Sequence, residues 1–155
     1  MLKYDNYQIV FREFPDEVTL ALNLTMCPNR CENCHSPQLR EDYGTELDED
    51  EIDRLVAENK GITCVGFMGG DNDPQRVLSL AEHIHNRHNL STGWYSGRDE
   101  VISEAFSTHS LDYVKTGHYD PKCGSIDTPS TNQRMYHITG DGREDITHRF
   151  WKRVE

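Results

Sequence analysis

Long apolar runs and an excess of basic residues are both missing from this chain. No stretch approaches the about 18 apolar residues that a membrane span needs. The 16 basic residues are outnumbered by 27 acidic ones, giving a net charge of −11 at pH 7, whereas nucleic-acid binders carry a basic stripe. The first residues also lack the apolar core of a secretory signal. We therefore expect a cytoplasmic protein with no nucleic-acid or membrane partner.

Cysteine is scarce, with five among the 155 residues. An odd number without a secretory signal argues against a disulfide framework and favours a reducing compartment. Charged residues make up 28% and hydrophobic residues 35%, which is a polar but globular composition with a modest core. No internal repeat, low-complexity segment or linker is visible, so residues 1–155 are predicted to form a single domain.

Three of the five cysteines lie close together in one predicted loop, residues 25–37. Cys27, Cys31 and Cys34 have the spacing C-x3-C-x2-C. Three thiolates can hold three irons of a 4Fe–4S cube and leave the fourth iron without a protein ligand. A closed cluster normally needs four cysteines, and a structural zinc ion needs four ligands. The pattern therefore favours a cluster with one open iron, at which a substrate can coordinate.

A zinc site of three cysteines and one histidine remains the alternative, with His35 or a distant residue as the fourth ligand. Zinc sites usually pair cysteines as C-x2-C with a second pair downstream, and this chain has no second pair. The other two cysteines have simpler interpretations. Cys64 lies inside an apolar run and is expected in the core, whereas Cys123 is expected to be a loop thiol.

Strand-like and helix-like segments alternate along the chain. Strands are predicted at 8–14, 18–24, 62–68, 90–95, 111–115 and 134–139, and helices at 48–61, from 73 onward and at 98–106, with 140–155 unassigned. Asp48 and Asp73 are the predicted helix caps, with Pro74 at the first helical position. Repeated strand–helix–strand units predict an α/β fold with a mostly parallel sheet. The units are too few to close a full barrel, so an open partial (β/α) barrel is expected.

A second motif, Gly69-Gly70-Asp71, follows the predicted strand 62–68. Paired glycines let a ligand approach the backbone closely, and Asp71 offers a carboxylate to a ligand ammonium group. Alone, the pattern is more typical of a plain glycine turn before a capped helix than of a ligand site. The cysteine loop also follows a predicted strand, and ligands of parallel sheets bind at the carboxyl ends of strands. The two motifs are therefore expected at one edge of the sheet.

Together these motifs resemble the radical S-adenosylmethionine superfamily, whose hallmarks are C-x3-C-x2-C after the first strand and Gly-Gly-Glu or Gly-Gly-Asp after the second. The small size is similar to that of the activating proteins of anaerobic ribonucleoside-triphosphate reductases. Three further runs, at 93–97, 112–117 and 130–134, are similar to the later strands of that family. The resemblance covers roughly residues 18–138. It implies a partial barrel of the radical S-adenosylmethionine type.

The resemblance also implies two cofactors, a 4Fe–4S cluster and S-adenosylmethionine. The implied cluster ligands are Cys27, Cys31 and Cys34, and the implied contacts of S-adenosylmethionine are Asn33, Cys34, His35, Gly69, Gly70 and Asp71. The glycine pair and Asp71 would receive the amino group of the methionyl moiety through charge-assisted hydrogen bonds. Asn33 and His35 flank Cys34 and would lie beside the ligand. No catalytic residue beyond the cluster is implied.

The activity implied by the resemblance is that of an oxidoreductase. Flavodoxin or ferredoxin would reduce the cluster, and cleavage of S-adenosylmethionine would give methionine and a 5′-deoxyadenosyl radical. That radical would take a hydrogen atom from a glycine in the large catalytic subunit of the anaerobic ribonucleoside-triphosphate reductase. An activase of another glycyl-radical enzyme, such as a formate lyase, is an alternative, although those chains are usually longer. A non-catalytic zinc-binding module is another.

Three histidines, His83, His85 and His88, crowd the second predicted helix. Residues three or four apart share a helix face, so these side chains lie near one another. No carboxylate is spaced along the helix to complete a metal site with them. We therefore expect a solvated histidine face.

Overall fold

The computed structural model describes residues 1–29, 37–140 and 142–151. Eight strands are present: β1 (Leu2–Val10), β2 (Thr19–Leu24), β3 (Thr45–Leu47), β4 (Cys64–Met68), β5 (Ser91–Tyr95), β6 (Tyr113–Thr116), β7 (Arg134–Thr139) and β8 (Gly142–Asp145). Three α-helices are α1 (Glu49–Glu58), α2 (Pro74–His88) and α3 (Glu104–Ser107), and 3-10 turns span Pro37–Arg40 and Thr147–Phe150. No helix among these residues is long and apolar enough to cross a bilayer.

The strands form one mixed sheet in the order β3-β1-β2-β4-β5-β6-β7-β8. The four central strands β2, β4, β5 and β6 are parallel to one another. The other four of the seven pairings in the described chain are antiparallel. The predicted open partial (β/α) barrel of the radical S-adenosylmethionine type, with a mostly parallel sheet, is therefore wrong.

Missing crossover helices explain this difference. A parallel pair needs a long crossover, whereas strands joined without one return antiparallel. No helix lies between β1 and β2, or in residues 117–133 between β6 and β7. The helix predicted at 98–106 shrinks to the four residues of α3, whose preceding Ser103 makes no capping hydrogen bond with its side chain. Helices therefore cover too little of the sheet to make a barrel wall.

The two longer helices begin where the sequence predicts. Asp48 accepts a hydrogen bond from the backbone N–H of Glu51 over 2.9 Å and caps α1. Asp73 caps α2 through the N–H of Arg76 at 3.3 Å, and Pro74 occupies the first helical position. Side-chain caps satisfy N–H groups that have no partner inside the helix. The apolar face predicted for α2 is buried in full, comprising Val77, Leu80, Ala81 and Ile84.

Side chains alternate between the two faces of the sheet along the central strands, so the core has two layers. One face of the sheet carries the larger cluster, packed under α1 and α2 and including Leu22, Phe67 and Trp94. The opposite face carries a smaller cluster around Phe14, Cys64, Tyr113, Met135 and Ile146. Cys64 is fully buried, which confirms the expectation of a core cysteine. The helices thus lie on one side of the sheet and leave the strand ends available for a site.

Candidate cofactor site

The carboxyl ends of the four parallel strands meet at one edge of the sheet. Asn23 of β2 is in register with Met68 of β4, which is in register with Tyr95 of β5, and Tyr95 with Lys115 of β6. The segments that follow these strands therefore lie side by side. They are the start of the cysteine loop, the Gly-Gly-Asp motif, the Ser-Gly-Arg run at 96–98 and Gly117.

The start of the cysteine loop is fixed by backbone contacts to the segment that precedes β3. The hydroxyl of Thr25 donates to the carbonyl of Tyr43 over 2.7 Å. The backbone N–H of Cys27 donates to the carbonyl of Leu39 over 2.9 Å. The thiol of Cys27 is half-buried. These bonds place the first cysteine of the motif just beyond the end of β2.

The remaining cysteine-loop predictions fall outside the described residues. This applies to Cys31, Cys34, Asn33 and His35, which lie between residues 30 and 36. The ligation of a cluster by all three thiolates and the contacts of Asn33 and His35 stay predictions. The described residues define the contacts of the start of the loop, and the most important of these involve Asp71.

Asp71 is the centre of the described site. Its side chain is buried, with the residue 3% exposed. One carboxylate oxygen, Oδ1, accepts from the hydroxyl of Ser96 at 2.5 Å. The other, Oδ2, accepts from the backbone N–H of Gly97 at 2.9 Å and from the side-chain amide of Asn29 at 2.5 Å. A carboxylate has about four acceptor positions, so three donors hold it in place and leave one for a ligand.

None of the three partners of Asp71 is among the residues predicted to contact the cofactors, although Ser96 lies close enough to the sheet edge for the sequence to suggest it as a pocket-lining residue. Asn29 lies between the first and second cysteines and offers no signal beyond that position. Ser96 and Gly97 follow β5, and the run at 93–97 is one of those similar to the activating-protein family. Their role emerges only when the parallel register brings the ends of β4 and β5 together. Sequence spacing alone does not contain that information.

The glycine pair adopts a backbone conformation that residues with a side chain reach only with strain. Gly69 and Gly70 have φ angles of 112° and 99°, in the left-handed region. A Cβ atom at Gly70 would lie 2.7 Å from Cγ2 of Val77. The carbonyl of Gly69 accepts from the indole N–H of Trp94 at 2.7 Å, and that of Gly70 accepts from the N–H of Asp73 at 3.0 Å. Each carbonyl keeps one lone pair for a ligand donor.

A buried cation lies at the same edge. Lys115, 7% exposed, donates from Nζ to the carbonyls of Ser96 at 3.1 Å and Gly117 at 2.7 Å. The ammonium also lies 5.7 Å from the centre of the Tyr95 ring. A buried ammonium needs such partners because desolvation would otherwise be very unfavourable. Lys115 therefore ties the ends of β5 and β6 together behind Ser96, the residue that holds Asp71.

Two pockets open beside this edge. The first, about 300 Å³, is lined by Asp71, Trp94 and Arg98. The second, about 410 Å³, lies between Thr116 and Arg143. Residues 100 and 101 line both pockets, so the two are neighbours. Volumes of about 300–1,000 Å³ are typical of small-molecule sites, which makes this edge large enough for a ligand.

The two cysteines outside the motif are poor metal ligands. Burial raises the pKa of the Cys64 thiol well above its usual range. The pKa of Cys123 is raised by desolvation and by Asp120, whose Oδ2 lies 3.6 Å from the Sγ atom. A thiol must lose its proton to bind a metal, and both environments oppose that loss. Neither cysteine forms a disulfide with another described residue.

A comparison of the chain with protein-family models, curated proteins and solved structures finds no match in any of the three. The functional assignment therefore depends on the residues at the strand ends and on their contacts.

Proposed function

We propose that the chain is an activating enzyme that cleaves S-adenosylmethionine reductively at a 4Fe–4S cluster and generates a glycyl radical on the anaerobic ribonucleoside-triphosphate reductase. One observation carries the proposal. The side-chain amide of Asn29, two residues after Cys27, donates to Oδ2 of Asp71 over 2.5 Å. Asn29 and Asp71 are 42 positions apart in the chain. Their hydrogen bond therefore brings the start of the cysteine loop into contact with the Gly-Gly-Asp motif.

The described residues fit the two cofactors. Cys27 presents a half-buried thiol at the same edge as Asp71. Asp71 is a buried carboxylate with one acceptor position left over, which suits the ammonium of a methionyl group. A Cβ atom at position 70 would overlap the side chain of Val77, so glycine is required to hold Asp71 in this position. The described residues thus supply one thiolate toward a cluster and one acidic acceptor toward an amino-acid ligand, and Cys31 and Cys34 would complete the cluster ligands.

In this proposal the cluster and S-adenosylmethionine, when bound, supply the electron and the 5′-deoxyadenosyl radical, and the protein binds and orients them. Cys27, Cys31 and Cys34 would hold the cluster. Asp71 would accept the ligand ammonium through Oδ1, the oxygen with the single protein donor. Asn29, Ser96 and Gly97 fix the carboxylate, so no side-chain rearrangement is needed at Asp71 when the ligand binds.

A protein partner follows from the open shape of the sheet. The strand order has two ends, β3 and β8, and the described chain forms no closed barrel around the ligand edge. A radical formed at such an edge needs a macromolecular cover to exclude water. We therefore propose that the large catalytic subunit of the reductase covers the edge that carries Asp71. The electron donor in this scheme is flavodoxin or ferredoxin.

The decisive experiment is electron paramagnetic resonance of the reconstituted, anaerobic protein with reductant, S-adenosylmethionine and the reductase subunit. A glycyl-radical doublet on the larger chain is expected for the wild type and for the Cys123→Ala control, and no doublet for Cys27→Ala. Cleavage of S-adenosylmethionine without a doublet would reject this partner and favour another glycyl-radical enzyme, such as a formate lyase. A fully loaded, reduced cluster that cleaves nothing would reject the radical chemistry. A colourless protein that contains zinc would instead favour the zinc-binding module.

A further inference from the structure

Three side chains of the types that ligate metals converge between α1 and α2. Asp53 Oδ1 of α1 lies 2.8 Å from Nε2 of His83 and 2.7 Å from Nε2 of His88, both on α2. The three candidate ligand atoms lie within 4.8 Å of one another. The expectation of a solvated histidine face is therefore wrong for these two residues. The carboxylate that α2 lacks comes from the neighbouring helix α1. Residue spacing within α2 therefore could not predict it.

We propose that Asp53, His83 and His88 bind one divalent transition-metal ion of the zinc class. Two imidazoles and one carboxylate are a donor set that suits Zn²⁺, Ni²⁺ or Fe²⁺. Three protein ligands leave at least one coordination position for water or a further ligand. Among residues 1–29, 37–140 and 142–151, this is the one group of three such side chains close enough to share an ion.

The geometry needs only a small adjustment to accept an ion. Metal–ligand bonds of about 2.0–2.2 Å at a tetrahedral centre separate the ligand atoms by about 3.3–3.6 Å. The present 2.7 and 2.8 Å are hydrogen-bond distances, so Oδ1 of Asp53 must move away from each imidazole by less than about 1 Å. The three side chains are 18–29% exposed, which gives an ion a path from solvent. An incoming ion replaces the protons that now bridge the imidazoles and the carboxylate.

One neighbouring cation works against the site. Nε of Arg87 lies 3.7 Å from Oδ2 of Asp53, the oxygen that the histidines do not contact. Its positive charge disfavours a divalent ion nearby. The Arg87 side chain is 66% exposed, so it can move into solvent when an ion binds. Removing it should therefore tighten metal binding, whereas removing a ligand should weaken it.

The site is separate from the proposed cofactor edge, and the inference is independent of the proposed function. Helix α2 begins at Pro74, next to Asp71, and runs away from that edge. With a rise of about 1.5 Å per residue, His83 and His88 lie about 13 and 21 Å further along its axis. An ion there would link α1 to α2 at the opposite edge of the sheet. We assign it a role in holding the helix pair, not in the radical chemistry.

Zinc titration by calorimetry tests the inference. The full chain is used with Cys27, Cys31 and Cys34 replaced by Ser, because thiolates would bind zinc themselves. One equivalent of Zn²⁺ is expected to bind. Loss of a residue that only hydrogen-bonds to a metal ligand lowers metal affinity by about 10- to 100-fold. Loss of a ligand itself, through Asp53→Asn or His83→Ala, should therefore weaken binding by about 100-fold or more. Arg87→Ala should tighten it, and the exposed His148→Ala should leave it unchanged.

A second variant separates metal binding from folding. The amide of His88→Gln can still donate to Asp53, so the helix pair keeps that hydrogen bond but loses the imidazole ligand. Zinc should raise the thermal midpoint of the parent chain and leave that of His88→Gln unmoved. In the cluster-loaded wild type, bound zinc should exceed that of the His83→Ala/His88→Ala double variant by one equivalent. Equal zinc content, or equal affinity in parent and His88→Gln, would overturn the inference.

Discussion

Asn29 and Asp71 are joined by a hydrogen bond of 2.5 Å from the side-chain amide to the carboxylate Oδ2. Asn29 belongs to the cysteine loop, and Asp71 ends the Gly-Gly-Asp motif. The bond therefore couples the position of the loop to Asp71, the one carboxylate at the strand ends that is buried among residues 1–29, 37–140 and 142–151. Any ligand that Asp71 holds must lie beside the loop that carries Cys27.

Replacing Asp71 should weaken S-adenosylmethionine binding without loss of the cluster. A lost charge-assisted hydrogen bond is worth about 1.5–3 kcal/mol, or roughly one to two decades in affinity. Calorimetry on reconstituted Asp71→Ala measures the change, and Asp71→Asn, which keeps the size but not the charge, should bind almost as weakly. Wild-type affinity in both variants would remove Asp71 from the ligand site.

Asn29→Ala should have a smaller effect at the same place. The variant removes one of the three donors to Asp71 and leaves Ser96 and Gly97. Because Asn29 would act on the ligand only by orienting Asp71, the loss should be smaller than the about 1.5–3 kcal/mol of a direct charge-assisted bond, and affinity should fall about fivefold. Iron content should match that of the wild type. A loss as large as that of Asp71→Ala would mean that Asn29 contacts the ligand directly.

The cysteines should divide into two classes. Alanine at Cys27, Cys31 or Cys34 is expected to abolish cluster loading, since each would hold one iron. Alanine at Cys64 or Cys123 should retain it, because burial raises the pKa of the first thiol and Asp120 lies beside the second. Iron and sulfide analysis of the five anaerobically purified variants measures how much cluster each variant retains. If Cys123→Ala loses iron as completely as Cys31→Ala, the fourth iron is not open.

Gly70→Ala should destabilise the fold, whereas Gly140→Ala should not. Alanine at position 70 would have to adopt a φ of 99° and bring its Cβ 2.7 Å from Val77. Strain and overpacking together should lower the free energy of unfolding by about 2–4 kcal/mol. A Cβ at Gly140 meets nothing within 4 Å, so its effect should stay within about 0.5 kcal/mol. Equal urea midpoints of unfolding for the two variants would contradict this prediction.

Alkaline conditions should destabilise the protein through Tyr113. Burial, and then the charge of Glu17, raise the pKa of its phenol to about 12 in the folded state, against about 10 when unfolded. A raised pKa stabilises the fold fully below pH ~10, and this contribution, up to about 2 kcal/mol, is lost as the pH rises toward 12. Urea midpoints between pH 9 and 11.5 should therefore fall less for Tyr113→Phe than for the wild type. The exposed Tyr7→Phe should behave as the wild type.

Local features of the fold were predictable from the sequence, and distant pairings were not. Asp48 and Asp73 cap their helices through bonds to residues three positions away, so nearby sequence suffices to locate them. The run 134–139 is strand β7 without any shift. By contrast, β1 lies further toward the N-terminus than predicted, since its position depends on pairing with β2 and β3. The antiparallel strands on both sides of the sheet follow from such pairings. They are the reason why the predicted mostly parallel partial barrel is wrong.

The same division holds for the candidate site. The Gly-Gly-Asp motif was identified because its residue types carry the chemistry themselves. Asn29 and Ser96 act by contact with Asp71, and that contact exists only in the folded sheet. Asp53 illustrates this again, since its partners His83 and His88 lie on another helix. Residues that act through a neighbour leave no spacing pattern for a sequence to show.

The two outermost strands have a consequence for how the protein behaves in concentrated solution. A bare outer strand offers unpaired backbone groups to which another chain can add, and that is a common start of aggregation. Here β3 has only three residues, and all four residues of β8, Gly-Arg-Glu-Asp, are exposed, with three of them charged. Short length at one side and charge at the other discourage strand addition. Addition of a strand from a second copy of the chain is therefore disfavoured at both β3 and β8.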